Sequence, residues 1–104
     1  MPKMYKVTVD RKAREQFSGH VKFLKRESIN AAKRLVSSYK KSIARIADNP
    51  FQFPFADELD VPNMPLKTYR KCLFEERYKA LFQVGEGEVF VDAVIDSRME
   101  NIDL

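Results

Sequence analysis

Four cationic side chains, Arg70, Lys71, Arg77 and Lys79, lie close together in the stretch TYRKCLFEERYKALFQV, residues 68 to 84. The stretch alternates polar and apolar residues, as a β-strand does, turns at two glutamates and alternates again. A surface of this kind can bind an anionic partner or stabilise negative charge in a reaction. The alternative is an ordinary solvated face of a sheet.

The sequence gives little support for disulfide, metal-binding, catalytic-triad or phosphate-loop chemistry. Cys72 is the only cysteine and His20 the only histidine, so an internal disulfide framework is impossible and a structural zinc or haem site is not indicated. We expect Cys72 to be a small core or half-buried residue instead of a nucleophile, and His20 to be a surface or half-buried residue, not part of a catalytic triad. Gly85 and Gly87 fit a hairpin turn better than a phosphate-binding loop. No cofactor and no metal are therefore expected.

Charge is distributed unevenly along the chain, although the formal net charge is only +4. Residues 11 to 45 carry eleven Lys or Arg against two Glu, a local balance of +9. Residues 46 to 65 sum to −4, residues 66 to 84 to +3, and residues 85 to 104 to −5. This asymmetry suggests an acidic partner, either nucleic acid or an acidic protein segment. A Lys-rich helix that serves only solubility is the alternative.

The length of 104 residues and a hydrophobic content of 44% predict a single domain, residues 1–104, with one modest core. No apolar run approaches the roughly 20 residues of a membrane span. The N-terminal MPKMYKVTVD enters alternating polarity directly, without the apolar centre of a signal peptide. We therefore expect a cytoplasmic protein.

The first elements are predicted to be a short strand and a helix. Tyr5, Val7 and Val9 alternate with polar residues, and Asp10 is a suitable N-cap for a helix that begins at Arg11. The apolar stripe of this helix is Ala13, Phe17, Val21 and Leu24. Gly19 weakens the helix by about 1 kcal/mol relative to Ala, which permits a kink or a break there.

A second helix is predicted to begin after Ser28 and to end at Asp48-Asn49-Pro50. Its apolar stripe is Ile29, Ala32, Val36, Tyr39, Ile43 and Ile46. We expect about three residues between the helices, which would then form an antiparallel hairpin on an apolar surface.

The remaining chain is predicted to contain an aromatic segment and three strands. Pro50 and Pro54 are expected to hold NPFQFPFADEL extended, with Phe51, Phe53 and Phe55 covering the core instead of forming a stacking platform for bases. The predicted strands are Leu66 to Phe74, Arg77 to Val84 and Val89 to Ile95, the last one central. The resulting fold is α+β, in the order β-α-α-β-β-β, with the helical hairpin on a small, mostly antiparallel sheet.

One face of this sheet is predicted to be core, because Tyr78, Ala80, Phe82 and Val84 share it. The other face mixes cations with apolar groups and is a candidate groove. The face that carries Arg70 depends on strand register, which stays open at this point.

The order of elements and the pattern Tyr-Arg, Arg-Tyr-x-Ala-Leu-Phe-Gln-Val and Val-x-x-Val-Ile-Asp-x-Arg resemble the RelE/ParE superfamily of toxins from type II toxin–antitoxin modules. The resemblance extends from the first strand to Arg98. The matching landmarks are Pro50, Arg70, Tyr78 and Arg98.

The RelE-like branch of this superfamily implies a ribosome-dependent mRNA endoribonuclease that needs no metal. Arg70, Lys79 and Arg98 match the positions of its catalytic cations, and Glu100 is a weak candidate for the proton carrier. Two departures disfavour this branch. Cys72 stands where ribonuclease members often carry Lys, and no Tyr or His follows Arg98.

The ParE-like branch implies a toxin that poisons DNA gyrase by binding, and the long helical hairpin favours this branch. The resemblance also implies growth inhibition, a role in plasmid stabilization and a cognate antitoxin with an acidic, partly disordered tail. The residues expected to contact the target or the antitoxin are Lys71, Arg77, Tyr78, Lys33, Arg34, Lys40 and Lys41. A non-toxic domain that binds nucleic acid or protein is the further alternative.

Overall fold

The structure is a computed structural model that describes residues 4–57, 60–63, 65 and 67–97. Its elements are β1 (Lys6–Val9), α1 (Arg11–Glu27), α2 (Ile29–Asp48), a 3₁₀ helix (Pro50–Gln52), β2 (Arg70–Phe74), β3 (Tyr78–Val84) and β4 (Glu88–Asp96). This order confirms the predicted α+β fold, with two helices packed on a four-stranded mixed sheet.

The sheet has the strand order β1-β4-β3-β2. β1 pairs with β4 in parallel, and the other two pairs are antiparallel. β4 therefore lies between two neighbours, as its hydrophobicity predicted. The helices cover one face of the sheet, which we call the core face, and the opposite face is called the outer face below.

Short polar side chains fix the ends of both helices, as the sequence predicted. The carboxylate of Asp10 accepts a hydrogen bond from Lys12 N at the start of α1. Ser28 alone joins the helices, since its backbone N–H donates to Leu24 O while its hydroxyl accepts from Ala31 N. The expected linker of about three residues is therefore wrong, because one residue caps both helices. α1 continues through Gly19 without a break.

The core lies between the helices and the core face of the sheet. Leu35, Ile46, Tyr78 and Phe82 are each at most 2% exposed. Leu35 was missing from the predicted stripe of α2, whereas Ile29, which was included, is 59% exposed. The predicted stripe therefore includes residues on the solvent side of the hairpin. The apolar stripe of α2 is wider than the surface that packs in the core, and its pattern does not show which of its edges is buried.

The aromatic segment differs from its prediction. Pro50–Gln52 forms a 3₁₀ turn instead of an extended chain. Only Phe53 joins the core, whereas Phe51 is 55% and Phe55 is 40% exposed. Proline favours the first position of a helical turn as readily as an extended chain, so Pro50 did not decide between them.

Two strands are shorter at their start than predicted. Leu66 lies outside the described residues, and Lys67 has a φ of 65°, which a β-strand does not accommodate. β2 therefore begins at Arg70. β3 begins at Tyr78 instead of Arg77, because the turn at Glu75 and Glu76 occupies positive φ angles of 53° and 56°.

The turn between β2 and β3 offers a simple test of backbone strain. Positive φ at two successive residues is typical of a type I′ turn, in which Gly is favoured at the second central position. We expect Glu76→Gly to raise the free energy of unfolding by about 0.5 kcal/mol, measured by urea denaturation. Glu86→Gly, in the other hairpin and without a positive φ, is the control and should lower it. A loss of stability in Glu76→Gly would show that the glutamate side chain outweighs the strain.

Candidate functional site

Strand register places Arg70 on the core face of the sheet. Arg70 pairs with Phe82, and Cys72 pairs with Ala80, both of which are fully buried against the helices. Since alternate residues of a strand share a face, Arg70 belongs to the same side as Cys72. This position is at the start of β2, the edge strand, so the guanidinium lies at the border of the core.

Lys79 lies on the opposite, outer face of the sheet, where it pairs with Leu73. The structure therefore does not bring Arg70 and Lys79 together, although the RelE-like interpretation uses both. The other two residues of that interpretation, Arg98 and Glu100, lie outside the described residues. Their roles stay predictions.

Lys79 and Lys71 instead hold a buried carboxylate on the outer face. The side chain of Asp60 is 1% exposed. Its Oδ2 lies 2.9 Å from Lys71 Nζ, and its Oδ1 accepts a short hydrogen bond from Lys79 Nζ. Burial would raise the pKa of the Asp60 carboxyl, but the hydrogen bonds from Lys79 and Lys71 outweigh burial and hold this pKa well below its usual range. The bond to Asp60 raises the pKa of Lys71 in turn.

This ion cluster makes Lys71 and Lys79 poor candidates for free catalytic or binding cations. Both lysines pair with the Asp60 carboxylate, Lys71 Nζ also lies 3.9 Å from Asp57, and the lysine side chains are only 26% and 23% exposed. The cluster instead ties the segment before β2 onto the outer face. Nothing in the sequence pattern marked Asp60 as the partner, because ten residues or more separate it from both lysines.

Arg77 and Tyr78 are also engaged within the fold. Arg77 Nη2 lies 2.8 Å from Asp96 Oδ2, and this hydrogen-bonded pairing raises the pKa of the guanidinium. Tyr78 is 2% exposed and packs on Phe74 with ring centroids 5.8 Å apart. Their predicted role in binding a partner is untested, but a partner would reach little of Tyr78.

The four predicted contact residues on α2 are, by contrast, open to solvent. They are Lys33, Arg34, Lys40 and Lys41, and all are exposed. None of them forms an ion pair with a described residue. These four side chains are therefore cations of the basic hairpin that a partner could contact.

An apolar groove runs between the two helices on their solvent side. Its volume is about 400 Å³, and its lining residues are Val21, Lys25, Ile29, Ala32, Lys33 and Val36. The floor is aliphatic and two lysines stand at the rim. Ile29 and Val36 were predicted to belong to the core stripe, so the groove was not predicted; the extra width of that stripe was its only signal.

The remaining reactive side chains are structural, as predicted. Cys72 is fully buried, and burial raises the pKa of its thiol, which disfavours the nucleophilic thiolate. His20 is half-buried, with Nε2 2.8 Å from the carbonyl oxygen of Val94. The described part of the chain contains no group of three or more side chains suited to hold a metal ion. Nor does any described helix have the length and apolar character to cross a membrane.

The same arrangement of two helices on a mixed sheet is found in solved structures. A chain of the chromosomal ParDE TA system from P. aeruginosa superimposes with a TM-score of 0.67 and 17% identity, over 89% of this chain and 96% of that one. The conserved hypothetical protein HP0894 from Helicobacter pylori superimposes with a TM-score of 0.58 and 14% identity, over 95% and 100%. No protein-family model matches the sequence, and no curated protein matches it.

Proposed function

We propose that this protein is the toxin of a type II toxin–antitoxin module and that a cognate antitoxin neutralises it. The fold similarity to a chain of the ParDE TA system, over nearly the whole length of both chains, supports this proposal. The observation that carries it is the apolar groove between α1 and α2 with its cationic rim. An amphipathic segment with an acidic face matches that groove in shape and in charge.

We further propose that the toxin acts by binding, in the ParE-like manner, with DNA gyrase as its target in the cytoplasm. Phosphodiester cleavage requires cations that converge on one developing negative charge. The opposite orientations of Arg70 and Lys79, and the engagement of Lys79 by Asp60, disfavour such convergence among the described residues. A binding mechanism makes no such demand.

The groove predicts the effect of a single charge on the antitoxin complex. Val36→Glu places a carboxylate in the apolar floor, where it loses water and faces an acidic partner. We expect the affinity for the antitoxin to fall at least about 30-fold, since an uncompensated buried charge costs roughly 2 kcal/mol or more. The measurement is co-purification and titration with the product of the adjacent gene.

Ser37→Glu is the matched control, because it adds the same charge one residue further along α2 at an exposed position. It should leave the complex intact. Equal binding by wild type and Val36→Glu would remove the groove from the proposal. No complex with wild-type protein, at low salt, would contradict the toxin–antitoxin assignment itself.

A further inference from the structure

Arg70 contacts two exposed aromatic rings at the edge of the sheet. Its guanidinium carbon is 4.0 Å from the ring centroid of Phe55 and 5.3 Å from that of Phe51. Phe55 is 40% and Phe51 is 55% exposed. We call these three side chains the arginine clamp. Two exposed phenylalanines that contact one cation form a surface that is both apolar and positively charged.

Backbone hydrogen bonds hold the clamp in place. Phe51 N donates to the side chain of Asn49 at 3.1 Å, which fixes the 3₁₀ turn. Next to Phe55, Lys71 N donates to Pro54 O at 2.9 Å, so this segment pairs with the edge of β2. Arg70 Nη1 donates to Phe53 O at 2.7 Å. Binding to such a surface loses little entropy, because its parts are already ordered.

Most hydrogen-bonding capacity of Arg70 is unused within the described residues. A guanidinium has five N–H donors, and a single acceptor, Phe53 O, is assigned to it. Arg45 stands nearby, with its guanidinium carbon 5.1 Å from the Phe53 ring. Neither arginine forms an ion pair with a described carboxylate. Arg70 contacts two exposed rings, Arg45 lies over the buried ring of Phe53, and neither has an acidic partner among the described residues, which indicates a site for an anion that has apolar neighbours.

The surrounding charge decides which anion fits. Asp48 and Asp57, in the segment that supplies both phenylalanines, are exposed. A nucleic acid needs a continuous basic track for its many phosphates and would be repelled here. A single carboxylate needs only the planar fork of one arginine, which it can engage with two parallel hydrogen bonds.

We propose that the arginine clamp binds one carboxylate of a short, extended protein segment, whose neighbouring apolar side chains cover Phe51 and Phe55. The clamp is separate from the helical groove. Arg45 is nine residues beyond Val36 on α2, which corresponds to about 13 Å along the helix. The proposal therefore stands whether or not the groove holds an antitoxin.

The test is selection of short random peptides displayed on phage against the whole protein, followed by titration of the selected synthetic peptides. We expect selected sequences to share an Asp or Glu flanked by apolar residues. Arg70→Gln should lower their affinity at least about tenfold, and Phe55→Ser by a similar factor. Arg26→Gln, which removes an equal charge from an exposed position at the end of α1, should change it less than twofold.

Three results would overturn the proposal. The first is selection of no peptide, or of peptides without an acidic residue. The second is binding that Arg70→Gln and Phe55→Ser leave unchanged. The third is tighter, Arg70-dependent binding of a single-stranded thymidine oligonucleotide, which would assign the clamp to nucleic acid. Phe51→Ser, at the most exposed of the three positions, repeats the test if Arg70→Gln proves unfolded by circular dichroism.

Discussion

Asp60→Asn is expected to lower the free energy of unfolding by about 3 kcal/mol. The substitution removes the carboxylate that pairs with Lys71 and Lys79, so that the more distant Asp57, 3.9 Å from Lys71 Nζ, is left to offset two ammonium groups on a partly covered surface. Removal of one partner from a buried ion pair costs about 3–5 kcal/mol. We expect the lower end of that range, because both lysine side chains are about one quarter exposed and can regain water. Urea denaturation at neutral pH measures the change.

Glu86→Gln is the control for this substitution, because it removes one carboxylate from an exposed turn and should shift stability by less than about 0.5 kcal/mol. Lys79→Met provides a second check. Its cost should be smaller in the Asp60→Asn background than in the wild type, since the two residues share one interaction. Additive effects of the two changes would show that the cluster contributes little.

The same cluster predicts loss of stability in acid. The pKa of the Asp60 carboxyl is lowered in the folded state, whereas in the unfolded chain it has the ordinary value of about 3.9. Its stabilising contribution is therefore complete above the ordinary pKa and is lost as the pH falls from about 5 toward the folded-state pKa. Unfolding free energies measured over this range should decline more steeply for the wild type than for Asp60→Asn. Parallel curves would contradict the assignment of the acid sensitivity to Asp60.

The second large effect is expected from the intact protein acting on its target. Expressed without an antitoxin, it should stop bacterial division. Purified protein together with gyrase should convert supercoiled plasmid to linear DNA, and mRNA on translating ribosomes should remain uncut. The mRNA should remain uncut because Arg70 and Lys79 lie on opposite faces of the sheet and do not converge on one phosphate. Both assays are run in parallel on the same preparation.

Substitution of single cations separates the two mechanisms further. If the protein cleaves RNA, Arg98→Ala or Arg70→Ala should reduce the rate by about two orders of magnitude, because one lost electrostatic contact raises the barrier by about 3 kcal/mol. If it acts by binding, effects should be graded, and the exposed cations of α2 should matter as much. Codon-specific cleavage of mRNA with gyrase unaffected would refute the ParE-like assignment. Inactivity in both assays would favour a non-toxic binding domain.

Much of the fold was predictable because its signals are local. Asp10 and Ser28 cap helices through contacts within three residues along the chain, and the glycines at 85 and 87 lie in the predicted hairpin turn. Alternation of apolar residues identified all four strands. Such patterns depend only on the backbone geometry within each segment. The order of elements then left few topologies, and the RelE/ParE-like arrangement was among them.

The site could not be derived in the same way, because its residues meet only through tertiary contacts. A strand pattern shows which residues share a face but not which face meets the helices, so the side of Arg70 required the pairing of β2 with β3. The path of the segment before β2 decided that Asp60 reaches Lys71 and Lys79. Both facts depend on residues far apart in the chain.

The sequence by itself therefore determined the elements, their caps and the basic character of the helical hairpin. The tertiary structure alone decided which cations are free. It paired Lys71, Lys79 and Arg77 with carboxylates, left Arg70 in contact with two exposed rings, and opened a groove beside Val36. The physical reason is that a charge is neutralised by an opposite charge within a few ångströms in space. The spacing of residues along the chain does not show which charges come that close.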